Sequence, residues 1–246
     1  MRRIVVLGTG TDVGKTYATC QIAQMLVGRA ADNAVLAIKP IETGVQVLEN
    51  TDAAKLGAAS LPRLAPDHAY AFESPISPHR AARLSGTRID INYVIRWISD
   101  FAESIAHARA PGIYCLDRNA DSVLIETAGG VLSPINEKQT NLDLALALEP
   151  SCWVLVGADR LGVLHDMHAT LTSMQCLARL PDVILLNAPR VPDESTGTNG
   201  QELEILGWAE MVGHISYNGG LDDSDREKVL GTLTSPSRAN ARVAPE

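Results

Sequence analysis

The sequence has few aromatic residues and fewer basic than acidic side chains. Aromatic residues make up 4% of the 246 residues, and 21 Lys and Arg stand against 29 Asp and Glu, for a net charge of −8. Nucleic acids and anionic membranes are bound through concentrated positive charge. The composition therefore predicts that neither of them is a partner.

Signals for export, membrane insertion and structural disulfides are also missing. No apolar run approaches the roughly 18 residues of a membrane span, and no signal peptide fits before the apolar segment at 4–7. The cysteines are widely spaced and form no C-x-x-C pair: Cys20, Cys115, Cys152 and Cys176. We expect a cytoplasmic protein whose cysteines are reduced and packed in the core.

The glycine-rich segment Gly8–Thr16 is the strongest signal that is present. It follows the apolar run 4–7, which is typical of a buried strand, and it precedes a helical pattern that extends to about Leu26. A strand, a glycine loop and a Gly-Lys-Thr helix start form the layout of a phosphate-binding P-loop. Backbone N–H groups of such a loop and the positive end of its helix bind phosphate oxygens.

Two side chains of this loop have predicted roles. Lys15 is expected to reach the β- and γ-phosphates of a nucleotide, and the Thr16 hydroxyl is expected to bind Mg²⁺. The spacing is a variant of the general pattern, because Thr9 occupies the position of its first glycine and Gly8 lies six residues before Gly14. A chance glycine turn is a poor alternative, since the strand, loop and helix signals agree.

Apolar runs and helical patterns alternate along the rest of the chain. Further strands are predicted at 33–38, 122–125, 152–156, 183–186 and 211–215, and helices at 51–59, 78–84, 90–105, 141–149, 164–177 and 200–210. The strands are continuously apolar, which indicates a parallel sheet covered on both faces. We predict an α/β fold of the P-loop NTPase type, a mostly parallel β-sheet with helices on both faces. It forms a single domain over 1–230, followed by a flexible C-terminal tail at 231–246.

Some local features can also be predicted. Residues 41–44 and 60–80 are expected to be irregular, because prolines precede or interrupt them. Asn141 is expected to cap its helix. The spacing of apolar residues places His168 and Leu171 on the buried face of the next helix.

Polar side chains follow several predicted strands, at the sheet edge where ligands bind in parallel α/β folds. Glu126 ends a buried strand and Asp52 opens a helix, so both are candidate Mg²⁺ ligands. Lys39 directly follows a strand and could neutralise charge on a transferring phosphoryl group. A solvated carboxylate or lysine is the ordinary alternative for each residue. Their convergence with the P-loop and Asn187 at one edge favours a functional site.

The residues at these positions resemble the dethiobiotin synthetase family, ATP-dependent ligases of biotin synthesis. The resemblance covers about residues 3–190. It rests on the P-loop with its six-residue glycine spacing, Lys39-Pro40-x-x-Thr43-Gly44, Thr51-Asp52, Pro75-x-Ser77-Pro78-His79, Glu126-x-Ala128-Gly129-Gly130, Val156-Gly157, Leu161-Gly162 and Asn187. It implies that ATP and Mg²⁺ are used to join CO₂ to 7,8-diaminopelargonate, through a phosphorylated carbamate, to form a cyclic urea.

The resemblance also implies roles for the matched positions. Lys15 and Lys39 would be catalytic, stabilising the carbamate and the transferring phosphoryl group. The implied metal ligands are Thr16, Asp52 and Glu126. The implied ATP-binding residues are Asp12, Val13, Gly14, Lys15, Thr16, Tyr17, Asp52, Glu126, Ala128, Gly129 and Asn187. The implied substrate-binding residues are Thr11, Thr43 and Gly130. Asn187 would read adenine, and the acid's carboxylate tail would reach residues near 161–163 of a partner subunit in a homodimer.

Three positions depart from the family pattern. Gly10 stands where the family usually has Asp, Thr127 replaces a Gly, and Ser216 replaces the Pro of a Gly-x-Ile-Pro turn. These departures keep open a nucleotide-binding paralogue without ligase activity.

A partition-type ATPase switch is the other alternative. Proteins of that class carry a signature lysine at the position of Gly10. Its absence, the acidic charge and the lack of a C-terminal amphipathic anchor argue against that class. A cobyrinate-type amidating synthase would need a glutaminase domain, for which the chain has no room.

Overall fold

The computed structural model of the protein describes residues 1–29, 34–107 and 120–235. The strands in this part of the chain are β1 (Arg2–Gly8), β2 (Val35–Ile38), β3 (Ile41–Thr43), β4 (Tyr70–Phe72), β5 (Ser122–Glu126), β6 (Cys152–Ala158), β7 (Val183–Asn187) and β8 (Val212–Ile215). Six of them form one parallel sheet in the order β2-β5-β1-β6-β7-β8.

Helices cover both faces of this sheet. They are α1 (Lys15–Arg29), α2 (Asp52–Ala59), α3 (Pro78–Leu84), α4 (Ile91–His107), α5 (Asn141–Ala147), α6 (Val163–Leu177), α7 (Asn199–Ile205) and α8 (Asp223–Thr234). Ile22 of α1 belongs to one core cluster with Val6, whereas Ile98 of α4 belongs to the opposite cluster with Leu7. The predicted α/β fold with a parallel sheet covered on both faces is confirmed.

The central strand β1 sets the position of the P-loop. It pairs with β5 on one side, where Val6 lies opposite Glu126, and with β6 on the other, where Gly8 lies opposite Val156. The chain leaves β1 at Gly8 and turns into α1. The loop therefore emerges at the carboxyl edge of the sheet, directly beside the end of β5.

The prediction that residues 41–44 and 60–80 are irregular is wrong at two short strands. β3 and β4 pair in parallel as a separate two-stranded sheet, with Ile41 opposite Tyr70. Pro40 cannot donate a hydrogen bond, but its carbonyl accepts one from the Tyr70 N–H at 3.0 Å. Three-residue strands are too short to show a periodicity, so the sequence gives no local signal for them.

Two predictions about helices are also wrong in detail. The N-cap of α5 is Thr140 and not Asn141, and both the N–H and the hydroxyl of Thr140 donate to the Asp143 carboxylate at 2.7 Å. In α6 the buried face includes Met167 and Leu171. His168 is exposed and stacks on Trp208 with ring centroids 4.1 Å apart.

The C-terminal helix was not predicted. Val229 and Leu233 of α8 are fully buried in the core, and their contacts stabilise a helix whose own sequence is mostly polar. Because α8 ends at Thr234, it extends past the boundary predicted at residue 230. The rest of the predicted tail, residues 236–246, lies outside the described residues.

Three of the four cysteines, predicted to be reduced core residues, lie in the described part of the chain, whereas Cys115 lies outside it. Cys20, Cys152 and Cys176 are free thiols. Burial raises the pKa of the Cys152 thiol to about 12 and that of Cys20 to about 11. Cys176 is exposed on α6, so core packing is wrong for it. None of the described helices is long and apolar enough to cross a membrane.

Candidate active site

The P-loop is held in shape by its glycines and by Asn187 at the end of β7. Gly14 has a φ of +89°, which favours glycine, and a Cβ there would lie 1.9 Å from the Asn187 amide nitrogen. Gly8 lies against the Lys15 side chain, since a Cβ on Gly8 would come within 2.9 Å of the Lys15 Cδ. Substituting either glycine would push the loop or these two side chains out of place.

Lys15 lies inside this loop, and its ammonium donates to the Gly10 carbonyl at 2.7 Å. The residue is 7% exposed. Burial lowers the pKa of its ammonium to about 8; the Glu126 carboxylate opposes this shift and the charge of Lys39 adds to it. This buried ammonium forms no ion pair with a carboxylate among the described residues, so it is prepared to bind an anion.

Beside the loop, Lys39 lies between two carboxylates. Its Nζ donates to Asp52 Oδ2 at 2.6 Å and to Glu126 Oε1 at 2.9 Å. Thr16 completes the group, because its hydroxyl donates to the same Glu126 oxygen at 2.9 Å. Residues from β1–α1, the end of β2, α2 and the end of β5 therefore meet at one point.

The protonation states in this group follow from the geometry. Burial alone would lower the pKa of Lys39, but Glu126 and Asp52 outweigh it and hold this pKa above its ordinary value. Burial raises the pKa of Asp52, but the charge and hydrogen bond of Lys39, with smaller contributions from Lys55, bring it down to about 2. The group therefore contains a charged lysine and an ionised Asp52 at neutral pH.

The donor set also fits a magnesium ion. Thr16, Asp52 and Glu126 offer only hydroxyl and carboxylate oxygens, the ligands that Mg²⁺ prefers. Glu126 Oε2 is buried and has no hydrogen-bond partner among the described residues. An uncompensated buried carboxylate oxygen is costly, so its presence indicates a cation or donor that binds there.

The other predicted site residues lie around this group. Thr11 and Asp12 are exposed on the loop, while Val13 is buried beneath it. The Tyr17 hydroxyl donates to the Gly219 carbonyl, which ties the start of α1 to the segment after β8.

The Glu126–Gly130 segment packs directly against the P-loop. Gly129 has a φ of +87°, and a Cβ on Gly130 would lie 3.1 Å from the Thr9 carbonyl oxygen. Asn141 was predicted only as a helix cap, although its side-chain amide holds this turn by donating to the carbonyls of Ala128 and Gly130 at 2.7 and 2.8 Å. No local pattern marks Asn141, because it comes from a different element.

A cavity of about 490 Å³ opens beside the loop. Thr11 and Gly130 line it on the loop side, and Thr170 and Ser173 line it from α6. Thr43, the other predicted substrate contact, is half-buried in β3. The two α6 hydroxyls were missed, because the sequence places them on a helix without indicating which loop the helix faces.

The residues that depart from the family pattern place no side chain among Lys39, Asp52, Glu126 and Thr16. The Thr127 hydroxyl donates to the Val6 carbonyl at 3.1 Å, so it is directed into the sheet. Gly10 contributes its carbonyl to Lys15. Ser216 donates to Asp222 at 3.1 Å in the segment between β8 and α8.

Comparison with known proteins agrees with this arrangement. The sequence model of a family described as AAA domain matches residues 2–225. The ATP-dependent dethiobiotin synthetase BioD of Anaeromyxobacter sp. (strain Fw109-5) is 31% identical over 236 residues, which cover 94% of this chain and 96% of that protein. The chain belongs to the dethiobiotin synthetase family. The enzyme of the same name from Rhodopirellula baltica is 30% identical, with 87% of this chain and 84% of that protein covered.

This dethiobiotin synthetase family member was also compared with solved structures. The MinC:MinD cell division protein complex of Aquifex aeolicus contains a chain with 15% identity and a TM-score of 0.49, covering 95% of this chain and 85% of its own. This likeness does not bear on the function. Family membership rests on the relatives and identifies the protein as an ATP-dependent ligase of the P-loop superfamily that forms carbon–nitrogen bonds.

The pKa of Lys15 leads to a prediction about nucleotide binding. An anionic triphosphate beside Lys15 raises its pKa from about 8 back toward the ordinary value. Above pH 8 the empty site has lost this proton, so binding must take one up and affinity falls, by up to about tenfold per pH unit. Below about pH 7 Lys15 is charged in both states and contributes no pH dependence.

Isothermal titration calorimetry at about pH 9, in two buffers of different ionisation enthalpy, measures this proton uptake. A Lys15→Met variant should bind nucleotide weakly and without the uptake assigned to this residue. Equal affinity of the wild-type protein from pH 7 to pH 9.5 would contradict the prediction.

Proposed function

We propose that the protein is a dethiobiotin synthase that carboxylates and cyclises 7,8-diaminopelargonate with CO₂ and ATP. The observation that supports this most strongly is the convergence of two lysines, two carboxylates and a hydroxyl at the P-loop. Lys15 and Lys39 approach from different strands, and Glu126 links Lys39 to Thr16. A group of this kind is suited to transferring a phosphoryl group between two anions.

The proposed reaction has three balanced steps. One amine attacks CO₂ and loses a proton, which gives a carbamate. A carbamate oxygen then attacks the γ-phosphorus of ATP, ADP leaves, and a carbamic–phosphoric anhydride forms. The second amine attacks the carbonyl carbon, inorganic phosphate leaves, and loss of a proton gives the cyclic urea.

The side chains have distinct roles in these steps. Lys15 binds the β- and γ-phosphates through a buried ammonium. Lys39, held beside the loop by Asp52 and Glu126, neutralises charge on the carbamate and the transferring group. Thr16, Asp52 and Glu126 would hold Mg²⁺, which supplies further charge neutralisation on the phosphates. Asn187 packs on Gly14 and would read the adenine.

The cavity beside the loop supports the choice of substrate. None of the described residues that line it is charged, and hydroxyls of Thr11, Ser133 and Thr170 alternate with apolar Val131 and Leu132. Such a lining suits an aliphatic chain with polar substituents better than a nucleotide or a peptide with charged side chains. Thr43 and Gly130 would contact the diamine end.

A homodimer is part of the proposal. Leu161 precedes α6 at the carboxyl edge of the sheet and is 77% exposed. A second copy packed there would cover it and bring residues 161–163 to the carboxylate tail of the substrate. Light scattering during size-exclusion chromatography should give twice the mass of one chain, and a monomer at assay concentration would contradict this part.

The reaction itself is tested with purified protein, ATP, MgCl₂ and bicarbonate. ADP and phosphate should be released in equal amounts only when 7,8-diaminopelargonate is added, and mass spectrometry should detect the cyclic urea. ATP hydrolysis that does not depend on the diamine but is stimulated by DNA or lipid would favour a partition-type switch. Nucleotide binding with no turnover under any condition would favour a paralogue that has lost catalysis.

A further inference from the structure

Glu42 is a buried carboxylate that the proposed mechanism does not use. It lies in β3 and is 6% exposed. Its two oxygens accept the N–H groups of Asp52 at 2.7 Å and of Ala53 at 3.0 Å. These are the first two amides of α2, which have no partner inside the helix.

The remaining amide of that first turn is satisfied by another residue. Thr51 is the N-cap of α2, and its hydroxyl accepts the Ala54 N–H at 3.1 Å. Glu42 and Thr51 thus divide the free amides between them. An anion at a helix N-terminus is also favoured by the helix dipole.

His68 holds the Glu42 carboxylate from the other side. Its Nε2 lies 2.9 Å from Glu42 Oε2, and the two side chains are 3% and 8% exposed. Burial raises the pKa of Glu42, but the hydrogen bonds from His68 and the helix amides, with the charge of Lys39, outweigh it and keep this pKa below its ordinary value. Glu42 therefore remains a carboxylate.

The small sheet fixes both members of this pair. Glu42 lies opposite Ala71 where β3 pairs with β4, and His68 precedes β4 by two residues. Side chains alternate along a strand, so Glu42 faces α2 while its neighbour Thr43 faces the opposite side. A carboxylate held by two strands is a rigid support for the start of α2.

We propose that Glu42, supported by His68, is a positioning residue that fixes Asp52 for Lys39 and Mg²⁺. Its carboxylate binds the backbone N–H of the residue whose side chain lies 2.6 Å from Lys39. The assignment of Asp52 to the metal rests on the proposed function. Glu42 itself contacts neither the nucleotide nor the metal in this scheme.

The Glu42→Gln variant is the primary test. Glutamine has the same shape, but it can accept with only one oxygen and places an NH₂ against a helix N–H or His68. We expect the Mg²⁺ concentration that half-maximally enhances ADP binding to rise about tenfold, as is typical for residues that orient a metal ligand. Affinity for ADP without Mg²⁺, which depends on the P-loop, should stay within about twofold.

Calorimetric titration of ADP at increasing MgCl₂ gives both values without any turnover. The matched control is Asp182→Asn, since the Asp182 carboxylate is only 11% exposed and also accepts a backbone N–H, from Trp153 at 2.8 Å. Asp182 directly precedes β7, so it lies at the amino ends of the strands, away from the site at their carboxyl ends. The control should lower the thermal midpoint without moving the Mg²⁺ requirement.

A second pair of variants covers the case in which Glu42→Gln does not fold. His68→Ala removes one support of Glu42 and should raise the Mg²⁺ requirement by less than Glu42→Gln does. His68→Gln retains a hydrogen-bond donor, so its Mg²⁺ requirement should be close to that of the wild type. A folded Glu42→Gln protein, or a folded His68→Ala protein, with the wild-type Mg²⁺ requirement would overturn the proposal. The ADP titrations contain no diamine, so their result does not depend on whether the ligase assay succeeds.

Discussion

Replacing Lys15 by alanine is expected to lower kcat/KM for ATP by about a hundredfold to a thousandfold. The ammonium lies inside the P-loop, 2.7 Å from the Gly10 carbonyl, and its side chain runs against Gly8. No other described lysine or arginine side chain lies inside the loop to replace it, because Lys39 is held by Asp52 and Glu126. Nucleotide affinity should fall together with turnover.

The measurement needs steady-state kinetics and equilibrium binding on the same preparation. Lys138→Ala is the matched control, since Lys138 is an exposed lysine in the loop before α5, and it should leave both values within about twofold. A Lys15→Ala protein that binds ATP as tightly as the wild type would show that phosphate binds elsewhere.

The parts of the fold that the sequence predicts are those set by local pattern. The run 4–7 is continuously apolar because β1 is buried on both faces, and that pattern predicts a buried strand. The wrong predictions concern contacts between distant segments. β3 and β4 are each too short to be predicted alone and form only by pairing with each other. The helix α8 is stabilised by Val229 and Leu233, which pack under the sheet. His168 shows the same limit, because helical periodicity does not decide which of two adjacent faces is buried.

The candidate site could likewise be predicted only where a local pattern marks its residues. Lys39 and Glu126 could be placed together from sequence, since both follow strands and the carboxyl ends of parallel strands share one edge. That their Nζ and Oε1 atoms lie 2.9 Å apart depends on β2 and β5 being neighbours, which no motif indicates. Glu42 and His68 could not be paired, because each lies in a segment that looks irregular and the small sheet is what joins them.

The second large effect is expected when Lys39 is replaced by methionine, which keeps the length of the side chain and removes the charge. We expect kcat to fall about a hundredfold, or ~2.7 kcal/mol of transition-state stabilisation. KM for ATP should change little, because Lys15 and the loop amides bind the nucleotide. Single-turnover measurement of phosphoryl transfer separates this effect from product release.

The same substitution should destabilise the empty protein. Without Lys39, the fully buried Glu126 and the partly buried Asp52 face each other with no cation between them. Breaking a buried ion pair in this way costs about 3 kcal/mol. Asp52 and Glu126 would also hold Mg²⁺, so the ion should raise the thermal midpoint of the variant more than that of the wild type.

Lys55→Met is the control for this experiment, because Lys55 also contacts Asp52, at 3.0 Å, but is 61% exposed. A surface ion pair contributes about 0–1 kcal/mol, so this variant should keep nearly wild-type stability and turnover. Thermal unfolding with and without MgCl₂ compares the three proteins. If Mg²⁺ stabilised Lys39→Met no more than Lys55→Met, then Asp52 and Glu126 would not form a cation site. The role of Lys39 in phosphoryl transfer is tested separately, by the single-turnover rate of the Lys39→Met variant.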